Sequence, residues 1–256
     1  MASGFVLPDA LQARLKGVHS VGAITGAGVS AESGIPTYRG EGGVYDDPEQ
    51  GDRTVDALSG PTLQSDPDRT WRAIAELARH AHGAQPNAGH HALVRIERAL
   101  DRFVLLTQNV DGLHQQAGAR NVIDIHGTVS DVLCMGCGVR GSLHELHRLS
   151  AAPSCDSCGG VLRPDVVLFG EMLPQAKVQR MLRAFYEEIP DAVIIAGTSA
   201  LFPYIAEPVQ VARQAGRLTV EVNPEPTLVT DVAEFSLRGT AGAVLPAIAE
   251  ALAPGN

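Results

Sequence analysis

Four residues in this chain have types and spacing that suit one metal ion: Cys134-x-x-Cys137, then 17 residues, then Cys155-x-x-Cys158. Turn residues accompany each pair, Gly136 and Gly138 at the first, Gly159 and Gly160 at the second. Two such knuckles offer four thiolates to tetrahedral Zn²⁺. Four protein ligands leave no position for water, so the pattern predicts a structural zinc rather than a catalytic one. The competing chemistry is a pair of redox dithiols, which needs a Cys-x-x-Cys opening a helix after a strand, and neither pair is read that way. His144 and His147 lie one helical turn apart, but with four thiolates available they read as a solvated helix face.

A second set of residues could hold a nucleotide. Gly26-x-Gly28-x-x-Ala31 follows the apolar run Val18–Ile24. In a dinucleotide fingerprint the first glycine permits the tight turn after a strand. The second lets a pyrophosphate approach the backbone, and a small third residue lets helix and strand pack closely. The usual fingerprint runs on into a helix and ends at an acidic residue about 20 positions later. Here Ser33-Gly34-Ile35-Pro36 breaks the helix early and Tyr38-Arg39-Gly40 continues as loop, which points to an insertion over the cofactor.

The elements that must carry these residues follow from the apolar pattern. Pro8–Gly17 reads as a short helix at one edge, and Val18–Ile24 as a buried parallel strand. Gly40–Ser65 has no sustained period and reads as loop with one short helix. Asp66 caps a helix to His82, with Trp71, Ile74, Leu77 and Ala78 on one face; Asn87 caps another to Leu100. Strands are expected at Phe103–Thr107, Val122–Ile125, Ala192–Ala196 and Leu218–Val222, with Asp165–Phe169 returning to the same sheet. Helices are expected at Pro174–Ile189, Ile205–Gly216 and Ala243–Leu252. Apolar strands alternating with helices mean an α/β fold with a Rossmann-like, doubly wound parallel sheet. The expected division is 1–128 with 165–256 as the Rossmann-like part. A small zinc-binding module, 129–164, is inserted in it, and 40–85 forms a helical and flexible insertion. Polar motifs sit just after strands, at Gly26, Gln108, His126, Gly197 and Asn223, where open α/β sheets bind ligands.

Composition limits the function. The 256 residues carry a net charge of −9, which argues against a general nucleic-acid binder and is compatible with a basic, lysine-bearing partner. No apolar run is long enough to span a bilayer, and Met1–Lys16 lacks the pattern of a secretory signal. All four cysteines fall in one cluster, which fits a reducing compartment, the cytoplasm.

Taken in order, the motifs resemble the sirtuin (Sir2) family, bacterial NAD-dependent protein-lysine deacetylases. Gly26–Ser30 with Ser33-Gly34-Ile35-Pro36-Thr37-Tyr38-Arg39 is similar to the family's first signature. Thr107-Gln108-Asn109-Val110-Asp111-Gly112-Leu113-His114 is similar to its second. His126-Gly127, the four cysteines, Arg163–Glu171, Gly197-Thr198-Ser199 and Val222-Asn223 complete the series, which covers roughly residues 18–240. The resemblance implies NAD across the sheet, its phosphates near Gly26, Ala27, Gly28, Gly197, Thr198 and Ser199, with Arg39 steadying the diphosphate. Asn223 would meet a ribose hydroxyl. Ile35, Asn109 and Asp111 would form a nicotinamide pocket covered by Tyr38, and Gln108 and Asn109 would orient ribose hydroxyls. Val167 and Gly170 would pair with the substrate backbone, and Phe169 and Glu171 would belong to the acyl-lysine channel. His126 would be the general base, with a reference pKa near 6.5 that leaves it mostly neutral at neutral pH. The implied products are free lysine, nicotinamide and O-acetyl-ADP-ribose.

Departures from the family pattern refine this reading. Tyr38 stands where the first signature usually has Phe. Pro203 comes early in Ala200-Leu201-Phe202-Pro203-Tyr204, so the local loop differs. Members that prefer succinyl- or malonyl-lysine share a Tyr-x-x-Arg pair on the helix before Pro86-Asn87. Neither Ile74-x-x-Leu77 nor Arg72-x-x-Ala75 could bind a carboxylate in that way, so neutral acyl groups are expected, acetyl first. The substrate would be an acetylated protein, with an acyl-CoA synthetase as the family expectation, and a monomer is the default state. Two other functions fit parts of the pattern: a mono-ADP-ribosyltransferase using the same NAD site, and a non-enzymatic NAD sensor. Retention of His126 with Asn109 and Asp111 favours the deacetylase.

Overall fold

The structure is a computed structural model, and it describes residues 4–37 and 47–254. In chain order the strands are β1 Ser20–Thr25, β2 Arg102–Thr107, β3 Val122–Asp124, β4 Gly127–Cys134, β5 Arg140–Ser142, β6 Leu162–Val166, β7 Ala192–Ala196, β8 Leu218–Val222 and β9 Phe235–Leu237. The helices are α1 Asp9–Leu15, α2 Pro48–Ala57, α3 Gly60–Ser65, α4 Pro67–Ala81, α5 Ala88–Ala99, α6 Leu113–Ala117, α7 Gln175–Leu182, α8 Pro203–Gln214 and α9 Ala241–Leu252. One π-turn, Arg183–Glu187, extends α7.

Six strands form one parallel sheet in the order β3-β2-β1-β7-β8-β9. Its central strands are apolar almost throughout because both faces are covered, as parallel sheets require. Alternate residues serve the two faces. Ala23, Leu105, Ile194 and Val220 meet Leu11 of α1, Leu93 and Ile96 of α5, and Val244 and Ile248 of α9. Ile24, Leu106, Val193 and Ile195 meet Met181 and Phe185, and Ile205 and Val209 of α8. From β1 the chain builds outward to β2 and β3; from β7 it builds the other way to β8 and β9. The strand order therefore reverses between β1 and β7, and the loops leaving those two strands open the crevice where such sheets bind ligands.

Those two loops touch backbone to backbone. The Gly28 amide donates to the Gly197 carbonyl at 2.8 Å. A Cβ on Gly28 would lie 2.8 Å from the Gly197 Cα, and one on Gly197 would lie 2.4 Å from the Val29 nitrogen. Gly197 also holds φ +59°, in the left-handed region. The second glycine of the fingerprint is thus required by a neighbouring loop, whatever else approaches it.

A second sheet, antiparallel and ordered β5-β4-β6, leaves the first at His126-Gly127. Its apolar face shares one core with the helices before it: Val132 and Leu162 pack with Leu58, Leu63, Trp71 and Ile74. The Trp71 indole N–H donates to the Leu162 carbonyl at 2.7 Å, which satisfies the one polar atom of a fully buried ring.

Three sequence expectations differ from this. Asp165–Phe169 does not rejoin the large sheet. Gly127 pairs with Val166, so the returning chain stays with the small sheet to that point, and Phe169 then bridges in parallel to Ser59. In the described part of 40–65 there are two helices rather than one. Asp47 caps α2 by accepting from the Glu49 and Gln50 amides, and the Ser59 hydroxyl accepts from the Thr62 amide to cap α3. The third difference is β9, which has only three residues and so no readable period.

The Gly28–Gly197 contact predicts a graded response to alanine. Gly216 has φ +71° with nothing near its missing Cβ, so Gly216→Ala carries only the conformational cost, about 1–2 kcal/mol. Gly197→Ala adds a clash against backbone and should lower the urea midpoint further at unchanged slope; equal losses in the two variants would show that the loops do not meet as described.

Candidate active site

The site is assembled where strands end. Thr25 and Thr107 close β1 and β2, and their hydroxyls lie 2.9 Å apart in the interior. His114 Nε2 is 2.9 Å from the Thr25 hydroxyl, and the Asn109 amide donates to that of Thr107 at 3.1 Å. This buried ladder fixes the start of the loop after β2. His114 is shut away from water beside His90, ring centroids 4.8 Å apart, and burial pushes its pKa down to about 3. Both rings are therefore neutral and uncharged supports near pH 7.

Ser30 ties the loop after β1 to the loop after β2. Its hydroxyl donates to Asp111 Oδ2 at 2.7 Å and accepts from Asn109 Nδ2 at 3.1 Å. Asp111 Oδ1 accepts from the Leu113 amide at 2.9 Å, at the start of α6. Asn87 caps α5 with its carbonyl oxygen, and its Nδ2 donates to the Val29 carbonyl at 2.7 Å and the Ser33 hydroxyl at 3.0 Å. On the other flank Gln108 Nε2 donates to the Thr198 hydroxyl at 2.8 Å, and Asn223 Nδ2 to the Thr198 carbonyl at 2.9 Å. Four loops, after β1, β2, β7 and β8, are thereby cross-linked around one crevice. Among the described residues the amide N–H groups of Ala27, Thr198 and Ser199 find no acceptor. Unpaired amides at a strand-loop turn suit an anionic ligand such as a phosphate.

His126 stands where the two sheets part. Its Nδ1 lies 2.9 Å from the Gln108 carbonyl, which can only accept, so Nδ1 carries the proton and Nε2 the lone pair. The Tyr204 hydroxyl is 2.7 Å from Nε2 and donates to it. Burial lowers the His126 pKa from its ordinary value, opposed by the Gln108 hydrogen bond. Gly127 follows with φ +88°, and a Cβ there would lie 2.0 Å from the Asp165 carbonyl oxygen. Glycine is therefore obligatory beside the histidine, because the outgoing and returning chains touch. The Val167 amide donates to the His126 carbonyl at 2.8 Å and closes the crossing.

A groove of about 480 Å³ opens on His126, lined by Val166, Val167, Glu171, Met172 and Lys177 among others. Its cations are all engaged. Arg163 holds Glu171 through two bonds of 2.8 Å, Lys177 holds Asp124 at 3.0 Å, and Arg140 is paired with Asp165. The Glu171 carboxylate also accepts from the Leu168 amide at 3.0 Å, so its oxygens serve to fix this loop. Phe169 is exposed, with its backbone bound to Leu58 and Gly60, and Gly170 turns the chain at φ +83°.

The four cysteines converge. Their sulfurs all lie within 4.8 Å of one another, with Cys134 to Cys158 at 3.5 Å and Cys137 to Cys155 at 3.8 Å. Zinc–sulfur bonds of about 2.3 Å place tetrahedral sulfurs about 3.8 Å apart, so the set fits zinc. Each knuckle closes the same way. Gly138 and Gly159, both left-handed, donate to the carbonyls of Cys134 and Cys155 at 3.0 and 2.8 Å. Amides of Gly136 and Cys137 point at the Cys134 sulfur, and that of Gly160 at Cys158, as thiolates require.

Of the residues singled out in the sequence, Gly26, Ala27, Gly28, Gln108, Asn109, Asp111, Gly197, Thr198, Ser199 and Asn223 are brought to the crevice. Ile35 sits at its side, its amide donating to the Ser30 carbonyl at 3.3 Å. Tyr38 and Arg39 lie outside the described residues. Sequence reasoning passed over Ser30, Lys177 and Tyr204. Ser30 lies inside a quoted signature, and Tyr204 inside the one loop noted as departing from the family, but neither spacing nor periodicity shows which side chain will face which.

The model of the Sir2 family matches residues 26–202. The chain is 45% identical to "NAD-dependent protein deacylase 2" of Pseudomonas aeruginosa, over 88% of its own length and 89% of that protein's. A solved Sir2 homologue in complex with NAD superposes with a TM-score of 0.84 at 37% identity, covering 98% of this chain and 96% of that one. A mutant Sir2 homologue holding 2'-O-acetyl ADP ribose superposes at 0.85 with 37% identity, covering 96% of each chain.

The cysteine geometry predicts one tightly held zinc per chain. The single Trp71 reports on it, because its ring shares a core with Cys134 and Cys155. Removing the metal with a strong chelator, or substituting Cys155→Ser, should move Trp71 emission to the red and melt the small sheet before the large one. An emission unchanged after complete zinc loss would mean the thiols do not hold this sheet together.

Proposed function

The chain belongs to the Sir2 family, and from that premise we propose that it is an NAD-dependent protein-lysine deacylase that removes acetyl from lysine. The observation that carries the reading is His126: a half-buried, neutral imidazole whose tautomer is fixed by the Gln108 carbonyl, lining a groove beside the polar crevice. NAD, when bound, supplies an electrophilic ribose carbon to the acyl oxygen of the substrate. Everything else is the work of this chain. The amides of Ala27, Thr198 and Ser199 would hold the diphosphate, and Asn223 an adenosine ribose hydroxyl. Asp111 and Asn109, braced on Ser30, would hold the nicotinamide, with Ile35 and Tyr38 against it and Arg39 at the diphosphate. Gln108 would orient a ribose hydroxyl.

His126 Nε2 would take the proton from the ribose hydroxyl that attacks the activated acyl carbon. A base must be unprotonated to do so, and the depressed pKa keeps it in that state through the neutral range. The acyl-lysine would lie in the 480 Å³ groove, which Val167 lines, with Phe169 and Gly170 following in the same segment. We read the cysteine-bearing module, 129–164, as one wall of this groove, through Leu133, Arg140 and Arg163, and 40–85 as an insertion packed behind that sheet.

Neutral acyl groups fit best. Arg140, Arg163 and Lys177, the cations lining the groove, each already hold a carboxylate. On α4, Trp71 and Ile74 are buried while Arg69 and Arg72 bind Asp56 and Asp66 at the surface. A succinyl group entering this groove would find no unpaired cation among the described residues, and a buried carboxylate without one is costly. The substrate class is acetylated protein, with an acyl-CoA synthetase as one candidate. No described helix is long and apolar enough to cross a membrane. Four cysteines assigned to one metal fit a reducing cytoplasm, and we assign a monomer.

Two measurements test this. An acetyl-lysine peptide incubated with the protein and NAD should lose acetyl and yield O-acetyl-ADP-ribose by mass spectrometry, and His126→Ala should abolish both. ADP-ribose attached to protein without peptide turnover would favour a transferase instead. Across pH, kcat/KM should rise as His126 loses its proton. The lowered pKa puts that rise below 6.5 and leaves a plateau above it; a rise centred above pH 7 would remove His126 as the base.

A further inference from the structure

The mechanism requires a free lone pair on His126 Nε2, and in the structure that lone pair is taken. With Nδ1–H committed to the Gln108 carbonyl, the 2.7 Å contact at Nε2 has a single polarity: the Tyr204 phenol donates and the imidazole accepts. The phenol is well placed for this. Tyr204 lies in the first turn of α8, so its backbone is set by the helix. Its ring stacks on Phe202, centroids 5.4 Å apart and planes at 17°. Both rings then meet His126 edge-on, Phe202 at 6.4 Å and Tyr204 at 6.1 Å. Burial raises the Tyr204 pKa to about 12, so the phenol keeps its proton wherever the enzyme works.

We propose that Tyr204 is a positioning residue that caps the proton-accepting nitrogen of His126 in the unliganded protein, and that the substrate hydroxyl must displace it before the base can act. The inference deepens the deacylase reading and rests on it for its kinetic half only. A hydrogen bond donated to Nε2 exists only while the imidazole is neutral, so it favours the neutral ring. The cap therefore keeps the base unprotonated and aimed in the absence of substrate. In exchange, every productive binding event must swap one hydrogen bond for another. Phe202 is exposed, so the stacked pair borders solvent on that side, while Tyr204 is half-buried and packs against the core beneath α8.

The other charges that face His126 are few. Lys177 of α7 lowers its pKa from a distance while bound to Asp124. Across the groove, Arg163 is paired with Glu171 and Arg140 with Asp165, and neither pair contacts the ring. Removing the phenol hydroxyl leaves all of these in place, so its effect on His126 can be isolated.

The experiment uses Tyr204→Phe, which keeps the stacked ring and deletes only the donor. In the ligand-free protein, the His126 ring is titrated by NMR in wild type and variant. Loss of the cap should raise the His126 pKa by about half to one pH unit, the equivalent of one neutral hydrogen bond. With acetyl-peptide and NAD, the rise of kcat/KM should move to higher pH by the same amount, while KM for the ligand that displaces the phenol falls severalfold and kcat holds. An unchanged NMR pKa would overturn the cap. So would a kcat lowered tenfold or more in a folded variant, since the hydroxyl would then be passing the proton rather than blocking it. The NMR titration needs no turnover, so it stands even if the protein proves not to be a deacylase; absent turnover in wild type would count against that reading alone.

Discussion

The Gly28 amide and the Gly197 carbonyl meet at 2.8 Å, and the crevice between β1 and β7 depends on that contact. Parallel strands whose order reverses send their loops apart, which leaves an open cleft with no structure of its own. Here the cleft is narrowed by backbone touching backbone, an approach that any side chain would prevent. Once the two loops are joined, Thr198 can accept from Gln108 through its hydroxyl and from Asn223 through its carbonyl. Ser30 can reach both Asn109 and Asp111 on the other flank. Each polar group is held by a neighbour from a different strand end, so the geometry belongs to the sheet and not to any one loop. Such preorganisation is what a site needs when its task is to place a substrate and move one proton.

The same constraint explains what a reader of the sequence can and cannot find. The central strands were legible because burial on both faces turns them into unbroken apolar runs. The cysteine site was legible because ligand spacing along the chain is itself the geometry of a knuckle. Glycines 26 and 28 were legible as a turn, but the loop backbone that Gly28 touches was not. A missing side chain is recorded in the sequence, whereas the atom that would have collided with it is not. Asp165–Phe169 was placed in the wrong sheet for a related reason. An apolar run says that a segment is buried and leaves open against what, and here the pairing of Gly127 with Val166 decides. Ser30 and Tyr204 act through partners 81 and 78 positions away, a distance at which no local pattern carries information.

His126-Gly127 shows how the second sheet bears on the candidate site through backbone alone. The chain leaves the large sheet after β3, passes the histidine, and must turn at once into β4. Val166 comes back alongside it so closely that a Cβ on Gly127 would strike the Asp165 carbonyl. The Val167 amide then binds the carbonyl of His126 itself. The backbone of His126 is therefore clamped from both strands that enter and leave the cysteine-bearing sheet, while its ring is held by the loop after β2. Four thiolates on one metal would draw the far end of β4 and the chain entering β6 together, since Cys134 ends the first and Cys155 and Cys158 precede the second. A closed metal site with no chemistry of its own would thus bear on His126 through strand register. Loosening it would free the two strands whose crossing sets the His126 backbone, and the imidazole would lose its aim.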